Sequence, residues 1–175
     1  MTHAMSATGL DALFRPRSVA ILGASDDPTR ISGRPVRYLI EGGFKGPIYP
    51  VNPNRDTVQG LKAYKSLADV PETPDVALLA VPAGLTEQAV RECVARGVRA
   101  AVIFSAGYAE SGGEGLAIQK RITDIARSGG LRLLGPNCLG VFNPQTGFFR
   151  TFTQSHDREM PHARPLGLVR QSGAY

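Results

Sequence analysis

Two short segments of the chain carry residues suited to holding a phosphorylated ligand. The first, Val19-Ala20-Ile21-Leu22-Gly23-Ala24-Ser25, is an apolar run that breaks into a turn of small residues. The second, Ile48-Tyr49-Pro50-Val51-Asn52-Pro53-Asn54-Arg55, is the next apolar run, and it ends in a base. In a nucleotide-binding βαβ unit the first turn offers backbone N–H groups to phosphate, and the tip of the second strand meets the ribose. An acid at that tip hydrogen-bonds the free hydroxyls of NAD. An arginine suits a phosphorylated ribose instead, as in coenzyme A or NADP. Arg55 turns the reading toward the second kind of ligand.

Four apolar runs end in similar small or polar chemistry: Gly23-Ala24-Ser25, Asn52-Pro53-Asn54-Arg55, Pro82-Ala83-Gly84 and Ser105-Ala106-Gly107. Glycine and alanine let a ligand approach the backbone closely. Any single strand-to-helix turn contains such residues, so the weight lies in all four sharing one edge. The dinucleotide fingerprint G-x-G-x-x-G is absent, because the next glycine after Gly23 is Gly33. The longer loop can wrap a bulkier anionic head, with Arg30 at its far end either as a phosphate contact or as a solvated base. Asp26 and Asp27 would repel a pyrophosphate unless turned outward, so they are not placed in direct contact with it. Leu134-Gly135-Pro136-Asn137-Cys138-Leu139-Gly140 reads, on spacing, as a tight turn held by an Asn137 side-chain hydrogen bond. His3, His156 and His162 stand in polar segments with no partner acid or nucleophile nearby, and no metal cluster, nucleophile elbow or P-loop occurs.

The elements that must position these residues alternate along the chain. Val19–Leu22, Ile48–Val51, Val76–Val81, Ala101–Phe104 and Leu131–Leu134 read as strands, and their near-continuous apolar runs suit burial on both faces of a parallel sheet. Val36–Ile40 (with Pro35 in its first turn), Leu85–Val94 and Gly115–Ala126 read as helices closed by glycines. Gly140-Val141-Phe142 reads as a short sixth strand. The alternation predicts an α/β fold with a doubly wound parallel sheet, Rossmann-like.

Bulk properties narrow the partners. The 175 residues are 42% hydrophobic and 20% charged, values of a globular chain. The net charge is +5, but the bases are scattered among acids and aromatics are 7% with no Trp, so no nucleic-acid footprint is present. Cys93 and Cys138 lack metal or disulfide spacing and read as small core residues. No secretory signal or membrane span is visible, and a cytoplasmic protein is expected. The expected organisation is an N-terminal extension with a short helix (1–16), the Rossmann-like domain (17–142), a linker or arm (143–165) and the truncated start of a second domain (166–175).

In five ordered segments the chain resembles the CoA-binding domain of NDP-forming acyl-CoA synthetases, the acetate–CoA ligase (ADP-forming) group, and more distantly the succinyl-CoA synthetase α subunit. The segments are Arg17–Ser25, Gly43–Pro53, Ala80–Ala83, Val102–Gly107 and Leu134–Gly140, followed by the Gln171-Ser172-Gly173-Ala174 signature. The resemblance implies that the loop from Gly23 to Arg30, including Ala24 and Ser25, holds CoA phosphates, and that Arg55 contacts the adenosine phosphate end. In the succinyl relatives that base is a lysine. Residues matching Val81, Pro82, Ser105 and Ala106 would line the groove for the adenine and the pantetheine arm, and Asn137 joins this expected binding set. The family reaction is acyl-CoA + NDP + phosphate ⇌ carboxylate + CoA + NTP, carried by a phosphorylated histidine. The resemblance places that histidine past Tyr175 and the ATP-grasp half elsewhere. The fragment is thus expected to bind CoA without being catalytic alone, with ATP or ADP handled by other domains of the parent or a partner subunit. The family also fuses this module to acetyltransferase domains. Two alternatives stay open: an NADP(H)-binding Rossmann domain of an oxidoreductase, and a standalone CoA-sensing module.

Overall fold

The computed structural model describes residues 9–151. Five strands form one parallel sheet: β1 (Val19–Leu22), β2 (Ile48–Val51), β5 (Val76–Leu79), β6 (Ala100–Ile103) and β7 (Arg132–Leu134). Their spatial order is β2-β1-β5-β6-β7. Counting only these five, the order is second, first, third, fourth, fifth, which is a doubly wound arrangement. The direction of winding reverses between β1 and β5, and ligands in such sheets bind beyond the carboxyl ends at that point.

Every residue of β1, β5 and β6 is buried, which explains why these strands read as unbroken apolar runs. Alternate residues feed two cores, one on each face of the sheet. Ala20, Leu22, Leu79 and Ile103 pack with Val90 and Cys93 of α3 (Ala83–Arg96) and with Ile122 and Ala126 of α4 (Glu114–Ser128). Val19, Ile21, Leu78 and Val102 pack with Ala12 and Leu13 of α1 (Gly9–Phe14) and with Val36 and Leu39 of α2 (Arg34–Glu41). Fully burying a side chain such as Leu39 contributes about 1.5–3 kcal/mol. Pro35 sits in the first turn of α2, and Gly97 closes α3 in the left-handed conformation (φ 76°), its N–H directed at Cys93 O and Val94 O.

Cys93 is fully buried, and burial first, with Glu92 second, pushes its thiol up to about 12. Cys138 is only half-buried, and its Sγ accepts from Gly140 N at 3.3 Å.

Three features depart from the expected organisation. A small antiparallel hairpin, β3 (Thr57–Val58) and β4 (Leu61–Lys62), follows β2. The segment Gly140–Asn143 is a strand, β8, yet it does not join the parallel sheet. It pairs antiparallel with β9 (Phe148–Thr151). The linker expected from residue 143 is therefore corrected over its first part, where a single 3₁₀ turn (Pro144–Thr146) leads into β9. Phe148 drives this docking: it is fully buried in the core beneath α2, with its ring 5.5 Å from that of Phe44. The remainder of the expected linker and the expected second-domain start at 166–175, including Gln171-Ser172-Gly173-Ala174, lie outside the described residues, as do His3, His156 and His162. Among the described residues, no helix is long and apolar enough to cross a membrane.

Candidate nucleotide site at the carboxyl edge

The loop between β1 and α2 folds onto the end of β2 and encloses a polar cleft of about 470 Å³. Gly23, Ala24, Ser25, Arg30 and Arg55, all singled out from sequence, line it together with Asp26, Asp27, Ser32, Asn52 and Asn54. A cleft of this size is within the range of small-molecule sites.

Gly23 holds the turn because its backbone has φ +82°, where L side chains are strained. Its N–H donates to Val51 O at 2.9 Å, which ties the turn to β2. Asn52 ties it again, its Nδ2 donating to Ala24 O at 2.8 Å. Asn52 Oδ1 accepts from Asn54 N at 2.9 Å and so shapes the turn that ends in Arg55. Gly33 closes the loop, since a Cβ there would collide with Asp27 O. Among the described residues the N–H groups of Ala24 and Asp26 have no acceptor. Such unpaired donors in a turn suit an anion.

Asp26 and Asp27, which the sequence kept out of direct contact with phosphate, both line the cleft. Their carboxylates are nevertheless spoken for. Asp26 Oδ1 accepts from Gln59 N at 2.7 Å. Asp27 Oδ1 accepts from Thr29 Oγ1 at 2.6 Å and Thr29 N at 2.9 Å, and these bonds hold its carboxyl below the usual range, with Arg30 adding its charge. Arg30 pays part of its charge to Asp27, with Nε 3.5 Å from Oδ2. Arg55 is exposed, and among the described residues its guanidinium makes no ion pair. The neighbouring base, Lys65, is occupied: its Nζ lies 2.7 Å from Asp56 Oδ1 and donates to Arg55 O at 3.2 Å.

Sequence reasoning missed Gln59. Its Nε2 donates to Ser25 O at 2.9 Å and to Gly33 O at 3.0 Å, while its backbone N–H takes Asp26. One side chain thus binds carbonyls at both ends of the loop. Gln59 and Gly60 form the turn of the β3–β4 hairpin, both with positive φ (49° and 81°). Such turns favour Asn-Gly, so a glutamine in the strained first position was the available signal.

The other expected site residues lie along the same edge but outside this cleft. Val81 is its immediate neighbour, since a Cβ at Gly23 would lie 3.1 Å from Val81 Cγ1. Pro82 precedes α3, Ser105 and Ala106 follow β6, and Asn137 follows β7. Asn137 is exposed with φ 52°, and its turn is held by its N–H donating to Ser105 O at 2.9 Å, not by its side chain as the sequence suggested. A separate depression of about 400 Å³ lies at the opposite end of β7, between Arg127 and Leu133, and none of the expected site residues reaches it. Among the described residues no cluster of ligands could hold a metal ion.

A doubly wound sheet with a polar, amide-lined cleft beside its switch point defines a Rossmann-like nucleotide-binding domain. Residues 17–144 match the family of CoA binding domains, and the chain belongs to that family. It is similar to an ADP-forming acetate–CoA ligase II from Archaeoglobus fulgidus, with 39% identity over 93% of this chain and 24% of the relative. It is also similar to a trans-feruloyl-CoA synthase from an unidentified prokaryote, with 41% identity over 94% of this chain and again 24% of the relative. The apo form of the dinucleotide-forming acetyl-coenzyme A synthetase 1 of Ca. Korarchaeum cryptofilum superposes with a TM-score of 0.78 at 37% identity, covering 82% of this chain and 31% of that one. The chain therefore spans about a quarter to a third of the length of these relatives.

Proposed function

We propose that this chain binds coenzyme A in the cleft between Gly23 and Arg55, as the CoA-binding module of an NDP-forming acyl-CoA synthetase. The observation that carries the reading is Arg55: an exposed guanidinium, unpaired among the described residues, at the tip of β2 and on the rim of an amide-lined cleft. In this reading Ala24, Ser25 and the N–H groups of the loop hold the pyrophosphate, with Arg30 at its outer end. Arg55 pairs with the ribose phosphate. Val81, Pro82, Ser105, Ala106 and Asn137 follow the edge of the sheet along the remaining length of the ligand.

The parent reaction is acyl-CoA + NDP + phosphate ⇌ carboxylate + CoA + NTP, in a cytoplasmic setting. This module supplies binding and orientation of CoA, while the phosphorylated histidine and the ATP or ADP site belong to further domains or a partner subunit. The acyl group is chosen elsewhere too: relatives named for acetate and for trans-ferulate share this module at 39% and 41% identity.

Isothermal titration calorimetry of the 175-residue chain with CoA, NADP⁺ and NAD⁺ tests the reading. CoA binding without nicotinamide binding supports it. NADP⁺ binding without CoA binding overturns it in favour of an oxidoreductase domain.

A further inference from the structure

Three hydroxyls stand in a row where the sheet edge passes the end of β6. Ser105 Oγ lies 3.1 Å from Thr86 Oγ1 and 3.0 Å from the phenol oxygen of Tyr108. Thr86 Oγ1 in turn donates to Pro82 O, one helical turn back, at 3.4 Å. Thr86 and Tyr108 are fully buried, whereas Ser105 is half-buried.

Counting hydrogens gives the row a direction. Among the described residues, Ser105 Oγ is the sole partner of the Tyr108 hydroxyl. A buried hydroxyl hydrogen without an acceptor is costly, so Tyr108 donates to Ser105. Thr86 spends its hydrogen on Pro82 O, so Ser105 donates to Thr86. A serine hydroxyl has one hydrogen and two acceptor positions. Ser105 has then used its hydrogen and one acceptor position, and one acceptor position is left. The reverse order, with Thr86 donating to Ser105, would forfeit the Thr86 bond to Pro82 O.

We infer that Tyr108 and Thr86 are positioning residues that fix Ser105 as a hydrogen-bond acceptor for an N–H donor of the bound ligand. The inference rests on the CoA reading above. CoA offers such donors at two places, the adenine amine and the amides of the pantetheine arm. Neither Tyr108 nor Thr86 is open to the ligand, since both are fully buried.

The test titrates CoA, adenosine 3′,5′-bisphosphate and 4′-phosphopantetheine into the wild-type chain and into Ser105→Ala, Tyr108→Phe and Thr86→Val. Ser105→Ala is expected to weaken CoA about tenfold, the scale of one hydrogen bond. The loss should fall on one fragment only: the bisphosphate if the donor is the adenine amine, phosphopantetheine if it is an amide. Tyr108→Phe and Thr86→Val keep the buried shapes and are expected to weaken that same fragment severalfold while leaving the other unchanged. A general loosening of the fold would not select between fragments. Wild-type affinity for CoA in Ser105→Ala overturns the inference. So does a loss in Ser105→Ala that neither Tyr108→Phe nor Thr86→Val shares. Failure of the wild-type chain to bind CoA overturns the CoA reading itself, and with it the inference. Should Ser105→Ala not fold, unchanged fragment affinities in the two buried variants are sufficient to overturn the proposal.

Discussion

A Cβ at Gly23 would lie 2.7 Å from the carbonyl oxygen of Ala80, so β1 and β5 meet at the switch point with no room between them for a side chain. The same residue has φ +82°. Gly23→Ala meets both obstacles, a left-handed backbone and a backbone oxygen that cannot swing away. The expected loss of stability is about 2–4 kcal/mol, a fall in Tm of roughly 4–16 °C. A thermal melt monitored by circular dichroism measures it. An unchanged melt would mean that the turn relaxes without cost.

Gln59 separates the stability of the hairpin from the shape of the loop. Gln59→Asn suits the positive φ of the turn better and keeps the backbone bond to Asp26, but its amide is one methylene short of Ser25 O and Gly33 O. The expected outcome is an unaltered Tm with CoA affinity lowered about three- to tenfold, because the loop carbonyls are no longer held together. Equal affinity for CoA in the two proteins would show that the loop holds its shape without this side chain.

The parallel sheet was legible in the sequence because burial on both faces leaves an unbroken apolar run, as in Val76–Leu79. The cleft was legible in part. Gly23, Ser25 and Arg55 sit at strand ends, where position alone marks them. Gln59 was not, because each strand of its hairpin has two residues and shows no periodicity. The role of β9 was hidden in the same way: a single buried residue, Phe148, docks a segment whose surroundings read as polar and irregular. Asp26 and Asp27 were set aside for their charge, and sequence could not show that their oxygens accept from Gln59 and Thr29 and so shape the loop.

At the amino ends of the central strands, Asp75 gathers two arginines. Arg17 donates from its backbone N–H (2.8 Å), Nε (3.0 Å) and Nη2 (3.2 Å), and Arg99 Nη2 lies 3.0 Å away. Burial alone would raise the Asp75 carboxyl, but the Arg17 hydrogen bonds and the two positive charges outweigh it and hold it below its ordinary value. A carboxyl whose folded value is depressed contributes stability above its unfolded value, about 3.9, and loses it as pH falls through the folded value. Asp75→Asn is therefore expected to cost about 1–3 kcal/mol at pH 7 and progressively less toward pH 2. Melts of both proteins between pH 7 and 2 decide the matter. Parallel curves would mean that Asp75 does not contribute to acid unfolding.

Arg55 makes the sharpest claim on the ligand. If its guanidinium pairs with the ribose phosphate, the wild-type chain binds CoA more tightly than dephospho-CoA, and Arg55→Ala abolishes that preference. The two losses have one cause, so removing both partners should cost no more than removing either. A charge-assisted contact of this kind is expected to contribute about 1–3 kcal/mol, roughly 5- to 150-fold in Kd. Arg55→Lys keeps the charge but not the paired donors, and should recover part of the preference. Calorimetric titration of both ligands into the three proteins completes the cycle. Arg55 leaves the site if the preference for CoA survives in Arg55→Ala, because the phosphate is then read by another group, with Arg30, which also lines the cleft, the next base to remove.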